Sequence, residues 1–364
     1  MKIAISGGVG FIGTNVAAYH LKKGDKVIIF DNLSRAGTKQ NLDWLLDQGN
    51  FVFVKGDIRD DKKLLATFKK YKPNLIYHLA AQVEMIGSLK NPRYDFEVNA
   101  LGSFNVLEAM RKTKSKAAAI YSSTNKVMGE LAYIPIVEKE KRYDYKDIKG
   151  VDEHFPLDFH GPYGCSKGAG DQYFLDYARI YGLNTIVFRQ SGIYGPRQFG
   201  IEEQGWLAWF TNALLFDKPV TIYGNGKQVR DVLYIDDLLR AFNLAFKSIK
   251  KTRGKAYNIG GGPKFSLSIW ELFEILEKLS GKKFYPIKSF AGSKRKSKIL
   301  FNGVNYKFGP WRPGDQKVYI SDISRAKKDF SWSPIISPKE GVKKLYKWIS
   351  QNKTLIKKAG VFKK

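Results

Sequence analysis

The chain has 364 residues, 43% hydrophobic and 26% charged, with 62 Lys and Arg against 34 Asp and Glu and a net charge of +28. That composition is ordinary for a soluble globular protein and leaves room for one large domain or two smaller ones. The lone cysteine, Cys165, excludes an intrachain disulfide and a Cys-based zinc site, and no apolar run approaches the ~20 residues that span a bilayer. The chain starts directly in a strand without a charged leader, so a cytoplasmic location is expected. The positive charge admits two readings, a nucleic-acid or membrane-surface binder and a lysine-biased enzyme with an anionic small ligand. The lysines are scattered as pairs (Lys22-Lys23, Lys62-Lys63, Lys250-Lys251) without interleaved aromatic residues, which favours the second.

Residues 2–6 are a short apolar run and predict a buried strand. Gly7-x-x-Gly10-x-x-Gly13 follows, with Phe11 and Ile12 opening an apolar helical pattern to about Lys22. A second apolar run, 26–30, ends on Asp31. Strand, glycine turn, helix, strand, acid is the order that binds a dinucleotide. Glycines let the backbone approach a pyrophosphate at the helix N-terminus, and Asp31 accepts hydrogen bonds from the adenosine ribose and repels a 2′-phosphate. Residues 32–39 read as a polar loop, in which Arg35 leaves room for NADP. A third strand, 51–54, runs to Gly56-Asp57-Ile58, with Asp57 placed either at the adenine edge or as a cap for the helix predicted at 61–71. The run 75–79 meets Ala80-Ala81-Gln82, small residues where a cofactor can approach. Pro92 opens a long helical pattern, 94–113, with Asn99 inside it, either tying helix to strand or solvated. A fifth strand, 117–121, runs into Ser122-Ser123-Thr124. Strands alternating with helices predict the α/β class, a parallel sheet wound on both faces with ligands beyond the strand C-termini.

Residues 129–159 are charged and aperiodic and read as an excursion over the active site, a lid. A helix at 163–181 and a sixth strand at 185–189 follow. Beyond Arg189 glycines and aromatics become frequent, which suits a second region holding substrate. A helix at 236–246 is expected to pack back on the sheet, 267–279 is amphipathic, 288–298 is a basic solvated loop, and 353–364 is a basic, frayed tail. The expected partition is a dinucleotide-binding domain at 1–190 joined by 231–250, a substrate region at 191–230 and 251–350, and the tail 351–364.

The local chemistry centres on Tyr163-Gly-Cys-Ser-Lys167. Positions i and i+4 share a helix face, and an ammonium beside a phenol lowers its pKa. Thr124 can donate to the same substrate oxygen, and Lys167 can hold a nicotinamide ribose. Together they form a proton relay for alcohol–ketone interconversion. Cys165 faces away and packs, His160 can belong to a substrate shell, and His78 reads as a satisfied core histidine. The four histidines have no metal spacing, so no metal is expected.

The stretches YSSTNKVMG (121–129), PLDFHGPYGCSKGAGDQYFLDYARIYGLNTIVFR (156–189), YGPRQFGIEEQGWLAWF (194–210) and GNGKQVRDVLY (224–234) resemble the extended short-chain dehydrogenase/reductase family, the nucleotide-sugar epimerases and dehydratases. The likeness runs from Lys2 to about Trp348 and implies a Rossmann-type sheet with a smaller C-terminal α/β substrate region. It implies NAD held tightly and recycled within one turnover, a nucleotide-sugar substrate and a homo-oligomer. It places Gly7, Gly10, Phe11, Ile12, Asp31, Asn32, Ser34, Arg35, Asp57, Ile58, Leu79, Ala80, Ala81, Asn99, Ser122, Tyr163 and Lys167 at the cofactor. Arg230 matches the family's pyrophosphate arginine, Arg312 with Asp315 a second nucleotide corner, and Tyr223 a residue against the base. Gln82, Asn125, Gln190, Arg197 and Gln204 complete the implied substrate set, with Glu84 and Gln198 beside them. Dehydratases of the family carry Asp-Glu after the threonine, whereas this chain has Asn125-Lys126, so the resemblance points to an epimerase, acting at C2 of a CDP-sugar. A UDP-hexose 4-epimerase is the alternative, and a non-catalytic, salt-sensitive nucleic-acid binder is the alternative of another class. Met128 stands in place of a family tyrosine, Gln190-Ser191-Gly192 in place of Tyr-Phe-Asn, and 289–311 is insertion-like.

Overall fold

Seven parallel strands organise the molecule. They are β1 (Lys2–Ser6), β2 (Lys26–Asp31), β3 (Val52–Lys55), β4 (Leu75–His78), β5 (Ala118–Thr124), β6 (Asn184–Gln190) and β7 (Lys255–Ile259). The order across the sheet is β7-β6-β5-β4-β1-β2-β3. Alternate residues of each strand serve opposite faces. Ile3, Ile5 and Ile29 enter one apolar layer, and Ala4, Phe30 and Ile76 enter the other. Both faces are covered, so the strands read as continuous apolar runs rather than alternating ones. The strand order reverses between β1 and β4, which opens a crevice beyond their carboxyl ends. The computed structural model describes residues 1–287 and 302–362, so the basic loop expected at 288–298 lies outside the described residues.

The helix expected at 236–246 is Ile235–Lys247, and its Phe242 ring lies 5.2 Å from Tyr77 and 5.3 Å from Phe188 on the sheet. Strand β7, assigned from sequence to the substrate region, is instead the sheet's edge beside β6. The long pattern at 94–113 resolves into Pro92–Phe96, a π-helical turn Glu97–Leu101 and a helix Gly102–Lys112. The π turn carries Asn99, and such single turns mark functional positions. Residues 163–181 lie in the helix Gly161–Ile180, started by Pro162 in its first turn.

A smaller region is built on the strand Val229–Tyr234, which pairs with Gly192–Tyr194, Ser266–Ser268 and Val318–Tyr319. A three-stranded sheet, Val220–Tyr223, Gly303–Gly309 and Lys283–Pro286, stands beside it. The amphipathic stretch is the helix Ile269–Ser280, held at its start by a reciprocal Ser268–Glu271 capping box.

Two expectations are corrected. Residues 129–159 are not a lid. They carry a hairpin, Ile136–Glu138 with Tyr143–Tyr145, whose buried tyrosines pack with Val229, Val318 and Tyr319 of the smaller region. Apolar anchoring holds the excursion on that region. The tail is not frayed either. Lys353–Lys358 is helical, Ile356 and Val361 are buried, and the Phe362 ring lies 5.1 Å from Phe216 and 5.7 Å from Trp209. Apolar residues interleaved among its lysines give it a face to bury. Among the described residues no helix is long and apolar enough to cross a membrane.

Candidate active site

Two adjoining cavities, of about 400 and 230 Å³, lie beyond the carboxyl ends of the central strands. Gly7, Gly10, Arg35, Leu79 and Ala81 line both, so the glycine turn stands at their junction. Gly7 has φ +70°, and a Cβ there would come within 2.7 Å of the Ala80 nitrogen. A Cβ on Gly10 would meet only the Gly7 oxygen, at 3.3 Å, and would otherwise project into open space. This leaves backbone free to meet a bulky ligand closely.

The larger cavity is lined by Asp31, Asn32, Ser34, Asp57, Ile58, Ala80 and Gln82. Asp31 closes β2 and accepts from the Leu33 nitrogen at 2.8 Å and the Val9 nitrogen at 3.2 Å, while burial raises its pKa. Asp57 accepts from Asn32 at 3.0 Å and is held down at about 2 by Arg59. The cap of the next helix is Asp60, which accepts from the Lys63 nitrogen at 2.9 Å, while Asp57 lines the cavity with both carboxylate oxygens bonded by Arg59 and Asn32. Asn99 is fully engaged. It exchanges hydrogen bonds with the Gln82 backbone, at 2.9 and 3.0 Å, and donates to Ser166 at 3.1 Å. It acts behind the cavity wall, fixing the Ala80–Gln82 loop to the Tyr163 helix.

The smaller cavity holds Phe11, Ile12, Ser122, Thr124, Tyr163, Lys167, Gln190 and Gln204. Burial pushes the Tyr163 phenol up to about 12, opposed by its hydrogen bond with Thr124 and by the Arg35 charge. Lys167 does not depress the phenol as the spacing suggested. Its ammonium donates to the Ser122 carbonyl at 2.6 Å and lies 4.3 Å over the Tyr121 ring, and burial lowers its own pKa to about 7. Low polarity around both groups disfavours both charged forms, and this outweighs their shared helix face. Gln190 Nε2 and Gln198 Oε1 are buried in this wall without a protein partner. Two such orphaned amides in one chamber suit a polar ligand.

A third cavity, about 190 Å³, contains Gln204, Tyr223, Arg230, Arg312 and Asp315. Arg230 pairs with Asp315 at 2.6 Å, and the Arg312 guanidinium stacks 3.9 Å over the Tyr223 ring. This cavity meets the tyrosine chamber at Gln204, and a small hollow shares Lys126 with the one and Tyr163 with the other.

Two residues singled out from sequence fall elsewhere. Arg197 lines none of these cavities; its guanidinium sits 4.1 Å over Trp44 and 5.8 Å from Trp348. Flat indole faces attract it more than the polar crevice does. Asn125 also lines none of them, because its amide turns to donate to Gln316 at 2.9 Å. His160 faces the small hollow and pairs with Glu130 at 3.5 Å. Cys165 is exposed, with its thiol toward the Phe159 carbonyl. His78 is a satisfied core residue, bonded to Ser6 and Ser103 and held near 3 by burial. Lys126 and Trp206 line the third cavity but were not picked out as site residues. The signal for Lys126 was its place two residues after Thr124, read only as a missing acid. Among the described residues no group of three His, Cys, Asp or Glu could hold a metal.

The family model described as GDP-mannose 4,6 dehydratase matches residues 4–345. The chain is 46% identical to a CDP-paratose 2-epimerase of Salmonella typhi, over 96% of this chain and 99% of that one. A UDP-glucose 4-epimerase of Thermotoga maritima, solved with UDP-glucose, superposes with TM-score 0.78 at 31% identity, covering 97% of this chain and 99% of its own. A UDP-glucuronic acid 4-epimerase of Bacillus cereus, solved with UDP-glucuronic acid and NAD, gives TM-score 0.77 at 28% identity, covering 96% and 99%.

Proposed function

Because the chain belongs to the GDP-mannose 4,6-dehydratase family of extended short-chain dehydrogenases/reductases, we propose that it is an NAD-dependent nucleotide-sugar epimerase converting CDP-paratose to CDP-tyvelose by inversion at C2. The observation that carries this is the Thr124–Tyr163–Lys167 set in a chamber between a glycine-turn cavity and an arginine-lined one, with Asn125 and Lys126 where a dehydratase keeps its acids.

The residues present fit a dinucleotide. Asp31 and Asp57 would take its adenosine end, Gly7, Gly10 and Arg35 its pyrophosphate, and Ser122, Tyr163 and Lys167 its nicotinamide riboside. Asp31 at the end of β2 favours NAD over NADP. When bound, the dinucleotide supplies reversible hydride acceptance, so that a sugar carbinol can pass through a ketone and be reduced from its other face. Tyr163 Oη takes the proton of the sugar hydroxyl and later returns it. Thr124 Oγ1 holds the same oxygen. A phenol at about 12 is a ready donor on return. Removing its own proton calls on the neighbouring positive charge of Arg35 and the hydrogen bond from Thr124, the two influences that lower the phenol's pKa. Arg230 and Arg312 bind the substrate diphosphate, since arginine forks meet phosphate oxygens bidentately. The homo-oligomer belongs to the same proposal, with exposed Leu101, Tyr173 and Tyr181 as the apolar surface for a second copy.

The test is to release the co-purifying nucleotide by heat, identify it by mass spectrometry, and follow CDP-paratose by NMR. NAD and C2 inversion are expected, with Tyr163→Phe slowing inversion by ~10²–10⁴-fold while retaining NAD. No bound dinucleotide and no inversion of CDP-, UDP- or GDP-sugars refutes the proposal. Inversion at C4 of a UDP-hexose would select the 4-epimerase reading, which the Thermotoga structure with UDP-glucose supports. The relatives give no support to a nucleic-acid binder.

A further inference from the structure

Lys126 has a role in the structure that the relay does not use. It lines both the hollow beside Tyr163 and the arginine-lined cavity. Its side chain is 14% exposed, and the ammonium donates to the Gly314 carbonyl at 3.0 Å and to Asp315 Oδ1 at 3.3 Å. An ammonium has three donors, so one remains for a ligand. Arg230 donates to that same Asp315 oxygen at 2.6 Å, and Arg312 adds its charge to the corner. Three cations thus converge on one half-buried carboxylate. Glu130 lies nearby but is engaged with the Gly314 nitrogen at 3.1 Å and with His160. Glu202 and Glu203 line the same cavity and, among the described residues, form no ion pair with these cations. Burial, with the Arg230 charge, lowers the Lys126 pKa to about 8 against the opposing pull of Asp315.

Sugar geometry gives this placement a consequence. In a nucleotide sugar the anomeric carbon carries the phosphate. A carbon next to the anomeric one reacts with that phosphate close at hand, whereas C4 reacts from across the ring. An enzyme working at C2 therefore needs a phosphate-binding cation against the wall of its catalytic chamber. Arg230 and Arg312 line only the arginine-lined cavity, whereas Lys126 also lines the hollow that backs on the catalytic chamber at their shared Tyr163.

Building on the nucleotide-sugar reading above, we propose that Lys126 binds the phosphate attached to the sugar and holds it at the boundary of the Tyr163 chamber, so that the carbon adjacent to the anomeric carbon faces Tyr163. Lys126 is then a substrate-binding residue that sets which carbon reacts.

The experiment is calorimetry of CDP and CMP on the holoenzyme and on Lys126→Met and Lys126→Arg. CMP lacks the sugar-side phosphate. Lys126→Met should weaken CDP by roughly 10–100-fold, the scale of one hydrogen bond to a charged group, and leave CMP within about threefold by the same scale. Lys126→Arg should recover most of the loss. An unchanged CDP affinity overturns the proposal, and so does a parallel fall for CDP and CMP, which marks a merely structural lysine. At saturating CDP-paratose, Lys126→Met should also lower kcat for C2 inversion. A rise in KM alone overturns the carbon-selecting part. If the wild-type enzyme binds UDP or GDP instead of CDP, the same diphosphate–monophosphate contrast decides on Lys126 while the cytidine reading falls. Binding of none of these nucleotides overturns both.

Discussion

Removing the carboxylate of Asp171 should cost more stability than any exposed change in this protein. Asp171 lies in the Tyr163 helix, four residues after Lys167, and is fully buried. Arg189 meets it with two parallel hydrogen bonds of 3.0 Å, and Ser123 adds a third at 2.7 Å. The pair therefore clamps the catalytic helix to β5 and β6. Asp171→Ala leaves a guanidinium buried with no counter-charge, which costs about 3–5 kcal/mol. Against a typical stability of ~5–15 kcal/mol, that brings the fold close to its threshold. Urea unfolding followed by circular dichroism measures the loss. Arg189→Met should cost a similar amount, and the double variant much less than the sum of the two, with a coupling of at least ~2 kcal/mol. Activity should fall as well, because the Asp171 charge helps to keep Lys167 protonated against burial. A loss below about 1 kcal/mol for Asp171→Ala, or strictly additive single variants, would refute the clamp.

Other outcomes follow from the same geometry. Gly7→Ala places a methyl against the Ala80 backbone at a left-handed φ, so it should strip the bound dinucleotide; ultraviolet spectra of the purified protein that still show it at full occupancy would contradict this. Lys167, lowered to about 7 from an ordinary 10.5, is a group whose burial costs stability in full below pH 7, and that cost fades as pH rises toward 10.5. Lys167→Met should accordingly melt several degrees above the parent at pH 7 once nucleotide is stripped, with the gap closing by pH 10; a gap independent of pH would count against a buried ammonium. Deleting residues 352–364 uncovers Phe216 and Trp209 and removes the buried Ile356 and Val361. At ~1.5–3 kcal/mol for each buried aliphatic side chain, this should cost at least ~3 kcal/mol. A melting temperature unchanged by the truncation would restore the frayed-tail reading.

The large sheet was legible because its signals are local. Buried parallel strands are short unbroken apolar runs, and the turn after β1 needs glycine at Gly7 for steric reasons that hold wherever the chain goes. The same applies to the Tyr163 helix, since residues four apart share a face in any helix. The excursion at 129–159 misled because its anchors, Tyr143 and Tyr145, alternate over only three residues, too few to display a period. The tail misled because five lysines among its twelve residues hide the apolar ones.

By itself, then, the sequence determined the order of strands and helices, the dinucleotide turn, the acid at the end of β2 and the relay residues, all of which depend on neighbours within a few positions. Tertiary structure alone decided where long side chains end. Arg197 went to two indoles from distant segments, and Lys167 to the Ser122 carbonyl rather than the phenol beside it. Lys126 met Asp315 across 189 positions of chain. A flexible side chain is placed by the partner that best compensates its buried charge, and that partner is present only once the chain has folded.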